Sequence, residues 1–290
     1  MRPYQIVTDT NSDLPREYVE AHQLVQIPQY YSIGDTVYEG SGGIAPSEFY
    51  KMMREGTMPQ SQAVNPAVAE EKLRSVLDQG EDVLYISFSS ALSGSCDIVR
   101  MVAKQLKEED YPDATIEIVD SLSVSLGEGL LVNKAFELKA QGKTLEEVKA
   151  WLEEHIQHQC VRFTVDDLFH LQRGGRVSKT TAVVGSVLNL KPVLGLTKEG
   201  KLEAAGTVRG RKKSMLALVD YMGERIQGYE ELNDTVAIVH GDCLEDAKFV
   251  AEQVEKRFGI KNFIIGDVNP SIGVHSGPGA LGLLFFGSER

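Results

Sequence analysis

The chain has 290 residues, enough for two domains, and its 42% hydrophobic and 25% charged residues are typical of a globular protein. Its formal net charge of −12 argues against nucleic acid as the main partner, because phosphate neutralisation needs a basic face. No apolar run approaches the roughly 20 residues of a membrane span, no signal peptide is apparent, and three widely spaced cysteines fit neither a disulfide framework nor a zinc site, so we expect a reduced, cytoplasmic protein.

The first half of the chain alternates short apolar runs with segments of helical spacing. The apolar runs predict strands at residues 5–9, 24–31, 83–86 and 115–119. Helical spacing or start signals predict helices at residues 16–22, 45–53, 67–79, 98–106 and 144–157. Thr144 and Glu147 have the spacing of a capping box at the start of the last helix.

The second half repeats this alternation from residue 160 onward. It predicts strands at residues 160–164, 235–240 and 262–266, a hairpin over 196–203, and helices near 183–188, 215–222 and 244–258. We therefore expect an α/β protein with an N-terminal domain over residues 1–159 and a C-terminal domain over 160–290. We expect mainly parallel sheets flanked by helices, with the ligand site between the domains.

Residues 82–94 contain a short apolar run that leads into a cluster of hydroxyls and one glycine. A strand that turns through serine and glycine into a helix places free N–H groups and the positive end of the helix dipole at one point. Ligands of open α/β sheets lie just beyond the carboxyl ends of the strands. The turn is therefore suited to a carboxylate or a phosphate. The alternative is an ordinary strand–helix connection with serine as the N-cap.

Polar or glycine-rich loops recur at residues 60–62, 89–95, 173–178 and 273–279. Together with their flanking residues, these motifs in this order resemble the DegV family of bacterial lipid-binding proteins over essentially the whole chain. The motifs are Asp9-Thr10-Asn11-Ser12-Asp13-Leu14-Pro15, Ser89-Ser90-Ala91-Leu92-Ser93-Gly94, Leu171-Gln172-Arg173-Gly174-Gly175-Arg176-Val177-Ser178, Leu190-Lys191-Pro192-Val193-Leu194, Val208-Arg209-Gly210-Arg211-Lys212-Lys213 and Gly273-Val274-His275-Ser276-Gly277-Pro278-Gly279-Ala280.

The resemblance implies that the protein binds one long-chain fatty acid in an internal tunnel and needs no other cofactor. In several bacteria such a protein is the lipid-binding, non-catalytic subunit of a fatty acid kinase. It presents the carboxylate to a separate ATP-using subunit, which makes an acyl phosphate for phospholipid synthesis. By the same resemblance, Ser93 and the Gly94 backbone bind the carboxylate, with His275 of a glycine-rich loop beside them. Arg173 and Arg209 match arginines near the head group or the kinase-docking face.

One loop departs from the family pattern. The family usually has Thr-Ser-Gln-Pro where this chain has Gln60-Ser61-Gln62-Ala63, so either the Gln60 amide or the Ser61 hydroxyl could replace the carboxylate-binding threonine. We also expect a protonated His275 to make a charge-assisted hydrogen bond. Apolar residues near these motifs are candidates for the tunnel wall, namely Phe163, Leu168, Phe169, Leu188 and Leu281.

Two other functions are compatible with the same residues. A hydrolase or acyl transferase would use Ser93 as nucleophile and His275 as base, although the chain lacks a G-x-S-x-G elbow and an evident acid partner. A lipid-sensing regulator would bind a fatty acid and contact a different partner. The remaining histidines show no metal-ligand spacing with a carboxylate.

Overall fold

The computed structural model describes residues 2–166, 168–177 and 189–290, which form three β-sheets flanked by helices. The strands are β1 Tyr4–Asp9, β2 Val25–Ile27, β3 Tyr30–Ile33, β4 Thr36–Glu39, β5 Gln60–Gln62, β6 Asp82–Ser87, β7 Ile116–Asp120, β8 Gln159–Thr164, β9 Leu190–Leu196, β10 Leu202–Arg209, β11 Thr235–His240, β12 Asn262–Asp267 and β13 Leu281–Phe286. The α-helices are α1 Arg16–Ala21, α2 Pro46–Arg54, α3 Pro66–Leu77, α4 Ser95–Glu109, α5 Leu126–Ala140, α6 Leu145–His155, α7 Phe169–Arg173, α8 Arg211–Arg225, α9 Leu244–Phe258 and α10 Pro270–Ser276. The predicted helix at 183–188 lies outside the described residues.

The first sheet is entirely parallel, with the strand order β2-β1-β6-β7. Its central strand β6 is buried at every residue, because helices cover both faces of the sheet. Val83 and Tyr85 pack in the cluster that includes α3 and α4, whereas Leu84 and Ile86 pack in the cluster that includes α5. The hydroxyl-rich turn therefore begins at the carboxyl end of a strand that helices cover on both faces.

The second sheet has the order β10-β9-β8-β13-β11-β12, and only the pair β11–β12 is parallel. The α/β class is confirmed, but the expectation of mainly parallel strands holds for the first sheet and is wrong for the second. The reason is connectivity. A tight turn at Gly200 joins β9 to β10, and such a turn can join only antiparallel strands. The last strand, β13, then inserts antiparallel between β8 and β11.

Two local predictions have different outcomes. The single strand expected at residues 24–31 is divided into β2 and β3, because Pro28 has no N–H to donate to a continuous ladder. β3 instead forms a small antiparallel sheet in the order β4-β3-β5. The capping box is confirmed, since Thr144 Oγ1 accepts from the Glu147 N–H at 3.2 Å and the Glu147 carboxylate accepts from the Thr144 N–H at 2.9 Å.

Helix α5 lies between the two large sheets and contacts β1 and β6 on one side and β8, β11 and β13 on the other. Its first turns are buried on all sides, and apart from Glu128 the residues of these turns are apolar or glycine. Gly129 allows this fit, because an added Cβ would lie 2.8 Å from the Ser12 carbonyl oxygen. The boundary between residues 159 and 160 remains a prediction: β8 begins at Gln159, and α5 packs against both sheets.

Glu128 places a carboxyl group inside this packed helix. It is fully buried, with Oε1 2.6 Å from Thr8 Oγ1, and Thr8 Oγ1 lies 2.9 Å from the Ile86 carbonyl oxygen. Thr8 has one hydroxyl proton and cannot donate to both acceptors. A protonated Glu128 resolves the conflict, because it donates to Thr8 while Thr8 donates to Ile86. Burial, together with the nearby Asp9 and Asp13, raises the pKa of Glu128 well above its ordinary range.

We predict that Glu128→Gln flattens the pH dependence of stability. Above the ordinary carboxyl pKa, the unfolded chain has lost the Glu128 proton and the folded chain keeps it. The wild-type free energy of unfolding therefore falls by about 1.4 kcal/mol per pH unit for this group as the pH rises. Glutamine has no proton to retain. Urea unfolding at a series of pH values from about 5 to 8 should give the variant the shallower slope.

The control is Glu252→Gln, which changes an exposed glutamate of α9. It should leave the slope at the wild-type value. Equal slopes for the wild type and Glu128→Gln would show that the buried carboxyl is ionised in the folded protein.

Candidate functional site

A cavity of about 190 Å³ lies where loops that follow strands of the first sheet meet strands of the second sheet and α10. It is several times larger than the roughly 30 Å³ that one water molecule occupies, so it can hold a small molecule. Its wall is mostly apolar, and the apolar lining residues are Ala63, Phe88, Leu92, Val124, Val161, Phe163, Leu171, Leu202, Val239, Val268, Ile272, Ala280, Leu281 and Leu284.

The predicted wall residues have different positions. Phe163 and Leu281 line the cavity. Leu168 packs instead in a small cluster with Leu171, and Phe169 is half exposed. Leu188 lies outside the described residues.

One polar group of the cavity is formed by Ser61 on β5 and His275. Ser61 Oγ lies 2.7 Å from His275 Nε2. His275 was expected in a glycine-rich loop, but it lies in the last turn of α10, which Asn269 caps by accepting from the Ser271 N–H. The helix holds the imidazole in the wall of the cavity. When Nε2 carries the ring proton and donates to Ser61, the Ser61 hydroxyl proton is free to point at a ligand.

Ser93 and Gly94 form a second polar group at the start of α4. Gly94 is the N-cap residue, so the turn is not an ordinary serine cap, and the positive end of a four-turn helix points at the cavity. Ser93 Oγ lies 2.9 Å from Ser95 Oγ, which donates at 2.9 Å to Gln29 Oε1. Because the Ser95 proton is committed to Gln29, Ser93 is the donor in its bond to Ser95, and a bound anion would compete with Ser95 Oγ for the Ser93 proton.

His275 is uncharged at neutral pH. Burial, and then the positive charges of Arg176 and Arg173, lower the pKa of His275 to about 4. The expectation of a protonated imidazole is therefore wrong for this arrangement of residues. His275 Nδ1 has no hydrogen-bond partner among the described residues, so no carboxylate there orients the ring as it would in a catalytic triad.

Three of the predicted residues lie outside the cavity wall. Gln60 is exposed and pairs with Ser32 along the β3–β5 ladder, so of the two residues at the divergent loop it is Ser61 that reaches the cavity. Arg173 donates to the carbonyl oxygens of Pro59 at 3.0 Å and Val274 at 3.3 Å. Arg209 is exposed at the end of β10.

The family model described as "Uncharacterised protein, DegV family" matches residues 3–288. The chain belongs to the DegV family. It is 37% identical over 292 residues to a DegV domain-containing protein from Clostridium perfringens, covering 100% of this chain and 99% of that protein. The resemblance read from the motifs is thereby confirmed.

Solved structures of DegV proteins have the same fold. A DegV family protein from Thermus thermophilus, described as fatty acid binding, is 29% identical with a TM-score of 0.86 and covers 99% of this chain and 100% of that one. A stearic acid-binding protein from Eubacterium ventriosum is 25% identical with a TM-score of 0.89, covering 98% of both chains. DegV from Bacillus subtilis, a fatty acid binding protein, is 26% identical with a TM-score of 0.83, covering 99% of this chain and 100% of that one.

Several residues that line the cavity of this DegV protein were not predicted as site residues, and Gln29 and Arg176 are two of them. Gln29 follows Pro28 in a linker between strands, and its role depends on a hydrogen bond to Ser95 that only the fold reveals. Arg176 belongs to the motif at residues 173–178, but its place in the cavity wall is set by the fold. The glycine pair Gly174-Gly175 before it was the sequence signal for a nearby site, because glycine is common where another group approaches the backbone closely.

Two features of the described residues bear on other kinds of site. No group of three His, Cys, Asp or Glu side chains within residues 2–166, 168–177 and 189–290 could hold a metal ion. In the same part of the chain, none of the helices combines the length and apolar character that crossing a bilayer requires.

We predict that Gly174→Ala displaces the His275 ring, because an added Cβ would overlap the imidazole at Nδ1 and Cε1. The ring should lose its bond to Ser61 and regain contact with water. The pKa of His275 should then rise from about 4 toward the ordinary 6.5. An NMR titration of the imidazole protons measures this shift.

Gly94→Ala is the matched control, since an added Cβ there meets no atom within 4 Å and the backbone is helical. It should leave the His275 titration unchanged. A Gly174→Ala protein whose His275 still titrates as in the wild type would show that the ring is not held by this contact.

Proposed function

We propose that the protein binds one long-chain fatty acid in the cavity, with its carboxylate at Ser61, Ser93, Gly94 and His275 and its acyl chain along the apolar wall. The observation that carries the proposal is the pairing of this wall with hydrogen-bond donors from both halves of the chain. A buried carboxylate needs such donors, and an acyl chain needs only apolar surface. The fatty acid-binding descriptions of the solved DegV structures support the same ligand class.

We further propose that the protein acts as a lipid-binding subunit and not as a catalyst. It would present the carboxylate in the cytoplasm to a separate ATP-dependent kinase subunit, which forms the acyl phosphate used in phospholipid synthesis. Arg173, which donates to the carbonyl oxygens of Pro59 and Val274, and the exposed Arg209 are our proposed candidates for contact with that subunit. The acidic remainder of the surface makes such arginines distinctive contact points.

The hydrolase alternative has little support in the geometry. Ser93 is bonded to Ser95 and not to His275, so the predicted nucleophile and base are not paired. His275 does pair with Ser61, but a pKa of about 4 makes it a weak base near neutral pH. The lipid-sensor alternative shares the site and differs only in the partner.

We predict that organic extracts of the purified protein contain a near-stoichiometric fatty acid. Ser93→Ala removes a donor to the carboxylate and should weaken binding by about tenfold, as expected for a hydrogen bond to a charged group. Mass spectrometry of the extract, followed by titration with the identified fatty acid, measures both quantities.

Ser90→Ala serves as the control, because Ser90 lies in the same turn without lining the cavity. It should retain the lipid. A lipid-free protein that stays unchanged after incubation with a panel of fatty acids would overturn the proposed ligand.

The kinase role predicts that acyl phosphate forms only when the ATP-using subunit and ATP are both added. Hydroxylamine traps acyl phosphate as a hydroxamate, which mass spectrometry detects. Hydroxamate should be absent when either component is omitted. Lipid binding without any ATP-dependent product would favour the sensor, and hydrolysis of a fatty ester without ATP would favour the hydrolase.

A further inference from the structure

Arg176 lies half buried in the cavity wall, and its guanidinium contacts backbone carbonyls. Nε and one terminal nitrogen donate to the Leu92 carbonyl oxygen at 3.3 and 2.9 Å, and the other terminal nitrogen donates to the Gly174 carbonyl oxygen at 2.5 Å. These bonds use three of the five N–H groups of a guanidinium. Within the described part of the chain, two N–H groups remain available.

The charge of Arg176 has no counter-charge in the cavity. No salt bridge joins it to a carboxylate in the described residues, and no aspartate or glutamate is among the described residues that line the cavity. Burial accordingly lowers the pKa of Arg176, with no acidic neighbour acting in the opposite direction. Removing part of a cation from water without an anion beside it is unfavourable, so an anionic ligand would supply the missing negative charge.

The other polar groups of the wall cannot supply the positive charge that an anion needs. Ser61 and Ser93 are neutral, and His275 is uncharged at neutral pH. Arg176 is thus the permanent cation among the described lining residues. It is also held to both polar loops, since Leu92 precedes Ser93 and Gly174 packs against the His275 ring.

We propose that Arg176 is the counter-ion of the bound head group and makes the cavity select ionised acids over neutral lipids of the same length. This inference rests on the proposed fatty acid binding and names the charge that the hydroxyl and imidazole donors lack. The two remaining N–H groups can donate charge-assisted hydrogen bonds to a carboxylate at the same end of the cavity. Arg176 is therefore a specificity-determining residue.

The test compares hexadecanoic acid with hexadecanol on protein freed of bound lipid, measured by calorimetry at about pH 8, where an ordinary carboxyl group is ionised. The wild type should prefer the acid. Arg176→Met should weaken acid binding by about tenfold or more and change alcohol binding by less than about twofold. Arg176→Lys keeps the charge and should recover part of the preference for the acid.

Arg74→Met is the matched control, because Arg74 is a similarly half-covered arginine of α3 that is paired with Glu70 and Asp110 away from the cavity. It should keep the wild-type preference. Alcohol binding by each variant also reports whether the cavity has folded.

Each other outcome is decisive. Equal weakening of acid and alcohol in Arg176→Met would assign Arg176 a purely structural role and overturn the inference, as would an unchanged preference. A wild type that binds the acid no more tightly than the alcohol would also overturn the inference, while leaving the proposed function intact. A wild type that binds neither lipid would overturn the proposed function and this inference with it.

Discussion

The hydrogen bond between Ser61 Oγ and His275 Nε2 joins a strand of the first half to a helix near the end of the chain. It belongs to a set of buried polar contacts that connect these halves, including Ser271 with Asn11 and the Asn269 N–H with Asp13. Because a buried polar group must be paired, each of these contacts fixes how the halves fit together. The cavity exists because the polar groups meet at its edge and apolar side chains face each other across its interior.

The positions of the polar groups were largely predictable from local sequence. Serines and glycine that follow a buried strand must lie just beyond the carboxyl end of that strand. This explains why Ser93 and Gly94 reach the cavity. The neutral state of His275 was not predictable, because it depends on burial and on two arginines brought close by folding. The antiparallel second sheet was also beyond local pattern, since β13 pairs with strands that are distant in sequence.

The polar end of the cavity combines uncharged donors with the Arg176 guanidinium. Uncharged donors such as Ser61 and Ser93 orient a carboxylate without the large desolvation cost of several buried ions. Arg176 is bonded to carbonyl oxygens and therefore already has a fixed direction before any ligand arrives. On the proposed function, such prior ordering would reduce the entropy lost on binding and keep the head group in one orientation.

Helix α5 has a consequence for how the chain behaves as a whole. Since both large sheets use it as a packing surface, separating them would expose apolar faces of α5 together with the inner face of each sheet. The two sheets should therefore unfold in one cooperative transition, although the chain is long enough to form two independent units. Fragments cut at the start of β8 would each lack part of their core and would be poor candidates for separate expression.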